Sequence, residues 1–185
     1  FVTDGIDATT MRAIAAMIGY TPTAIYHHFP DKDALIVELC MADFRALGQA
    51  MYKIGRIEDP VERLRRMGLA YTDFALDNAS QYRFMFMTPL KQPMLDASGN
   101  EITPPDEDAY QFLLQTVQEG IAKDCYRPEL SDAPELAQMF WGGIHGVISL
   151  WFTHCDDPHI VFRDPRETVR TLCDTMIRGS LRNPA

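Results

Sequence analysis

One short stretch, residues 10–35 (TMRAIAAMIGYTPTAIYHHFPDKDAL), concentrates hydroxyls, imidazoles and cations at close spacing. Thr23, Tyr26, His27 and His28 sit beside the apolar residues Ala24, Ile25 and Phe29. Each of the four can hydrogen-bond, and such side chains suit contact with phosphate oxygens and base edges. Lys32 follows within two turns and offers a point charge for a phosphate. This is a set for recognising a polyanion.

Those side chains need rigid elements to present them. Ile14, Met17 and Ile18 fall at helical spacing and predict a first short helix with an apolar stripe. Gly19 suits the left-handed residue that ends a helix. Thr21 and Pro22 then restart the chain, Thr as a cap and Pro in a first turn where its missing N–H is not needed. Ala24, Ile25 and Phe29 give the second helix a face to bury. Asp31 reads as the cap of a third helix that begins at once. Two short helices with a tight turn form a helix-turn-helix, whose second helix can enter the DNA major groove.

This segment resembles the DNA-binding domain of the TetR family of one-component transcriptional regulators. The matching pieces are Thr10 with Arg12, Ile14-Ala15, Gly19, Thr21-Pro22, Tyr26-His27-His28-Phe29 and Lys32-Asp33-Ala34-Leu35. The resemblance implies that Thr10, Arg12, Thr21, Pro22, Thr23, Tyr26, His27, His28 and Lys32 belong to the DNA-binding surface. Family members usually have a helix before this point. The opening Phe1-Val2-Thr3-Asp4-Gly5 reads as its last turn, so the first helix of the domain is expected to be largely missing from this sequence.

Composition sets limits. The chain has 185 residues, 46% hydrophobic and 23% charged, enough for one or two domains with a proper core. No stretch approaches the ~18 uninterrupted apolar residues of a membrane helix. Cys40, Cys125, Cys155 and Cys173 form no close-spaced pair and read as reduced thiols of a cytoplasmic protein. The net charge of −9 argues against a protein that coats nucleic acid non-specifically. Residues 1–48 hold three basic and six acidic side chains, so weak non-specific binding and a modest salt dependence are expected.

The remainder reads as all helix. Residues 31–53 form one long helix that connects a head to a body. A helix starting at Pro60 carries Val61, Leu64, Tyr71, Phe74 and Ala75 on its buried face, and a shorter one carries Tyr82, Phe84 and Phe86. Residues 88–105 read as a loop rich in Pro and Gly. Residues 134–153 are apolar nearly all round, which predicts a buried helix, and Gly142, Gly143 and Gly146 inside it predict close approach of another backbone. The last helix has Val169, Leu172, Cys173, Met176 and Ile177 at helical spacing.

The expected architecture is therefore all-α. A three-helix helix-turn-helix domain (1–47) precedes a helical-bundle domain (48–185) for effector binding and dimerisation. The dimer contact is expected from Phe140, Gly143, Ile144, Val147, Trp151, Val169, Leu172, Cys173, Met176 and Ile177. Trp141 with His145-Gly146 also resembles a Trp-His-Gly pattern in the C-terminal domain of one TetR subgroup. Tyr71, Phe74, Tyr82, Phe84, Phe86, Trp141 and His145 could line a pocket for a largely apolar small molecule, or could simply be core.

Other chemistry is not signalled. The run 154–159 (HCDDPH) holds metal-ligand side chains, but its spacing matches no structural zinc pattern and it reads as a polar loop. There is no Glu-x-x-His, Gly-x-Ser-x-Gly, Walker loop or Gly-x-Gly-x-x-Gly. No catalytic residue, metal or cofactor is expected. The reading is a homodimeric repressor of palindromic operator DNA, answering to a small-molecule effector, with no membrane partner. The alternative is a helical ligand-binding protein or enzyme that has lost DNA binding.

Overall fold

The computed structural model describes residue 6, residues 8–87 and residues 108–183. The loop expected over 88–105 lies outside the described residues. Within them the chain is helical: α1 (Met11–Met17), α2 (Pro22–His28), α3 (Lys32–Tyr52), α4 (Pro60–Asp77), α5 (Ala79–Met87), α6 (Ala109–Ala122), α7 (Ala133–His154) and α8 (Pro165–Ser180). One isolated bridge pairs Tyr126 with Leu181.

Local chemistry sets most helix starts. Thr10 and Thr21 each accept from the backbone N–H three residues on, at 3.2 Å. Asp31 accepts from Ala34 N at 2.8 Å, and Asp59, Asp108, Asp132 and Asp164 do the same work ahead of α4, α6, α7 and α8. Each such cap satisfies an amide that the helix cannot, worth ~1 kcal/mol. Gly19, at φ +73°, takes the left-handed conformation between α1 and α2.

The chain divides into two compact units. The first comprises Phe1–Ala46 and Asn78–Pro104. Its head is a small core of Met11, Ala15, Ile25 and Leu35, with Ile14 and Phe29 packed against it. The expected stripe on α1 needs correction: Met17 is 77% and Ile18 58% exposed. Met17 lies about 200° round the helix from buried Ala15 and so points away from that core, while Ile18 is the C-cap, where the helix has already stopped. Helix α5 belongs to the first unit, where Phe86 meets Phe44 edge-on at 5.5 Å and Tyr82 at 4.9 Å.

The second unit comprises Leu47–Asp77 and Pro105–Ala185. Here α4, α6, α7 and α8 pack on one another around Leu64, Val117, Tyr126, Leu136, Ala137, Phe140 and Ile177. Helices α4 and α8 meet closely at Gly68, where a Cβ would lie 2.7 Å from Cys173 Sγ. Tyr52, in the last turn of α3, stacks on Phe112 at 5.2 Å.

The expected burial of α7 on all sides is corrected as well. Phe140, Ile144 and Ile148 are buried, but Met139 is 47% and Leu150 54% exposed. Five of the residues expected at a dimer contact face inward: Phe140, Ile144, Val169, Cys173 and Ile177 are all buried within the protomer. An apolar stripe on α8 has to cover α4 and α7 before it can meet a second chain. Gly143, Val147, Trp151, Leu172 and Met176 are half-buried.

Candidate functional site

The head presents its polar residues outward. Ile25 of α2 is buried against the head core, which fixes the rotation of this short helix. Thr23, Tyr26 and His27 then point away from that core and are exposed, as is His28 in the last turn, with Tyr26 51% exposed. Arg12 on α1 is exposed too. The Thr10 and Thr21 hydroxyls spend a lone pair on their caps, and each O–H remains able to donate. Pro22 occupies the first turn of α2, where it costs no hydrogen bond.

Lys32 is placed differently from a free surface cation. Its Nζ donates to Ile6 O at 2.8 Å and to Thr9 O at 3.2 Å. Sequence reasoning missed this because both partners are backbone carbonyls more than twenty residues away.

In the second unit Tyr71, Trp141 and His145 come together. The Trp141 indole N–H donates to Tyr71 Oη at 3.3 Å, and Tyr71 Oη shares a hydrogen bond with His145 Nδ1 at 3.0 Å. The Trp141 and His145 rings lie 6.0 Å apart, as expected one turn apart on α7. Burial lowers the His145 pKa and so disfavours its charged form. Phe74 is half-buried on α4. Tyr82, Phe84 and Phe86 lie in the first unit, so the seven expected pocket residues are divided between the units.

A second polar cluster carried no sequence signal. Arg63 is buried on α4, where it donates to Thr116 Oγ1 at 3.2 Å and Ile57 O at 3.1 Å and pairs with Glu119. Its partners satisfy a cation that would otherwise be costly to bury.

Cys40 and Cys173 are free thiols buried in the protein. Burial pushes the Cys40 and Cys173 thiols up to about 11, so neither is a thiolate at neutral pH. His154 ends α7 and the rest of the 154–159 run turns, with His159 N donating to Asp157 Oδ1 at 2.8 Å. Among the described residues no group of three or more His, Cys, Asp or Glu could hold a metal ion, and no helix is long and apolar enough to cross a membrane.

Comparison with known proteins agrees with this architecture. Residues 1–39 match the family described as bacterial regulatory proteins, tetR family, and residues 64–176 match the tetracyclin repressor-like C-terminal domain. The HTH-type transcriptional repressor KstR2 of Mycolicibacterium smegmatis is 24% identical over 132 residues, covering 70% of this chain and 63% of that protein. The match thus spans less than two thirds of that relative's length.

The fatty acid degradation regulator FadR from Bacillus halodurans superposes with a TM-score of 0.74 at 16% identity, covering 96% of this chain and 89% of that one. The ketosteroid transcriptional regulator KstR2 of Mycobacterium tuberculosis gives 0.65 at 19%, covering 99% and 90%. At these identities the two structures share the fold. With its helix-turn-helix followed by a matching C-terminal bundle, the chain belongs to the TetR family.

Proposed function

We propose that this chain is a DNA-binding transcriptional regulator, a repressor, whose operator affinity is changed by a small molecule bound in the helical body. The observation that carries the reading is the division of α2. One side is anchored by Ile25, the other exposes Thr23, Tyr26 and His27, and His28 is exposed at the helix end. Exposed donors on a rigid helix are what base-edge and phosphate contact require. One short helix reads only a few base pairs, so a palindromic operator and two heads about one helical turn (~34 Å) apart follow.

The second copy would sit on the outer stripe of α7. Met139 and Leu150 are exposed there, and a Cβ at Gly142 or Gly146 would meet nothing within 4 Å. Leu172 and Met176 of α8 flank the stripe at Gly143. This replaces the inward-facing residues with a face that is open in the protomer.

Tyr71, Trp141 and His145 supply the polar tips of an otherwise apolar effector site. Relatives described as ketosteroid and fatty acid degradation regulators make those two compound classes the first to test. The effector would act by favouring one conformation, with α3 as the lever, since α3 begins in the first unit and ends in the second.

The direct test is a gel shift with DNA from the chain's own promoter region, followed by titration of the complex with each compound. Retarded DNA that a compound releases is the expected result. No sequence-specific retardation at any protein concentration up to micromolar would sink the reading. Emission from Trp141 in a Trp151→Phe variant reports whether the compound reaches this cluster.

A further inference from the structure

The nine residues that resemble the DNA-binding surface do not all stand in the same environment, and Lys32 is the exception. It opens α3, directly after the Asp31 cap. Its ammonium is committed to the backbone on the far side of the helix-turn-helix: Ile6 O at 2.8 Å and Thr9 O at 3.2 Å. An ammonium has three donors, so two of them are already spent.

The carbonyls it reaches are not arbitrary. Ile6 O also accepts from Thr9 N at 3.3 Å and so closes the turn that leads into α1. Thr9 is buried, and Thr10, next in the chain, caps α1 through Ala13 N at 3.2 Å. A single side chain therefore ties the first residue of α3 to the turn from which the helix-turn-helix starts. Hydrogen bonds from an ionised donor are roughly twice as strong as neutral ones, and the two carbonyls fix direction as well as distance.

We propose that Lys32 is a positioning residue of the head, a clasp that makes α1 and α2 follow the start of α3, and not a phosphate contact. The inference rests on the operator-binding reading above and deepens it. It names the link by which a movement of α3 is passed to the helix that reads DNA. Helices α1 and α2 pack on each other and share one small core with Leu35 of α3, so displacing the α1 turn displaces the reading helix with it.

The two roles differ in a readout that charge alone controls. A phosphate contact releases counterions, and its loss lowers the slope of log affinity against log salt by about 0.9 per head. A clasp has no part in that slope. The test uses the full chain with Lys32→Met, which keeps the aliphatic stem. Operator affinity is followed by fluorescence anisotropy across a salt series, and amide hydrogen exchange is followed without DNA.

The expected result is operator binding about tenfold weaker with an unchanged slope, from the loss of two charge-assisted bonds. In the free protein the Thr9 and Ala13 amides exchange faster, while Ala24, capped separately by Thr21, does not. A slope lowered by one contact with exchange unaltered would assign Lys32 to phosphate and overturn the proposal. Unchanged exchange at Thr9 and Ala13 overturns it whatever the affinity does.

Lys32→Arg covers the case in which the Met variant does not fold. Arg serves a phosphate at least as well as Lys, whereas its planar fork does not reproduce an ammonium held between two carbonyls. Weaker binding with the slope retained supports the clasp, and wild-type binding refutes it. If the unaltered chain binds no operator, the regulator reading fails on its own, and the exchange measurement still decides the clasp.

Discussion

Removing one hydroxyl from α2 tests the recognition surface with little disturbance elsewhere. Tyr26 is 51% exposed, and Tyr26→Phe keeps the ring while deleting its donor. A neutral hydrogen bond contributes a net ~1 kcal/mol. A dimer loses it twice, ~2 kcal/mol, which is about 30-fold in operator Kd. The hydroxyl is uncharged, so the salt slope should stay where it is.

Arg12→Gln provides the contrast, because its exposed cation should lower the slope by about 0.9 per head, or about 1.8 per dimer. Fluorescence anisotropy with a labelled operator at several salt concentrations measures both quantities, and thermal unfolding controls for damage to the head. The reasoning is refuted if Tyr26→Phe binds within about twofold of the unaltered chain. It is equally refuted if the loss comes with a lowered melting temperature, since the hydroxyl would then be serving the fold.

Three further outcomes follow. At Gly120 a Cβ would lie 2.5 Å from Tyr126 Cε2, so Gly120→Ala should destabilise by ~1–3 kcal/mol in urea titration despite a helix-propensity gain of ~1 kcal/mol. In a Tyr126→Ala background the same change should become stabilising, and failure of that sign to reverse would discredit the steric account. Gly142→Ala and Gly146→Ala meet nothing within 4 Å, so each should stabilise the protomer by up to ~1 kcal/mol while weakening self-association in sedimentation. Undiminished association would place the dimer contact elsewhere.

The last concerns pH. Burial holds the His145 pKa below its ordinary value, so the unfolded chain takes up a proton first as pH falls. The contribution of His145 is complete above its unfolded pKa of about 6.5 and is lost as pH drops toward the folded pKa. His145→Gln should flatten that part of the stability profile, and a wild-type-minus-variant difference independent of pH would contradict it.

Helix starts were legible because they are local. A Thr or Asp beside a Pro or a helix-forming run states its own capping chemistry, and Thr21 and Asp31 act as expected. The head was legible for the same reason, since all its determinants fall within a few turns of one another. Ile18 was misread because periodicity carried the stripe past the residue where the helix stops, and Met17 because it lies round the helix from the Met11 and Ala15 that pack. Lys32 and Arg63 were opaque because a charged side chain shows no sign of the distant carbonyls or hydroxyls that will hold it.

Residue order alone therefore determined that this chain is helical, that it carries a helix-turn-helix, and where most helices begin, because backbone amides are capped by neighbours in the chain. Packing decided the rest. A helix such as α7, apolar nearly all round, has no polar face to dictate its rotation. Only its fit against α4, α6 and α8 turned Phe140 and Ile144 inward and left Met139 and Leu150 outside. The partition between protomer core and open face is a property of neighbouring helices, and those come together only in three dimensions.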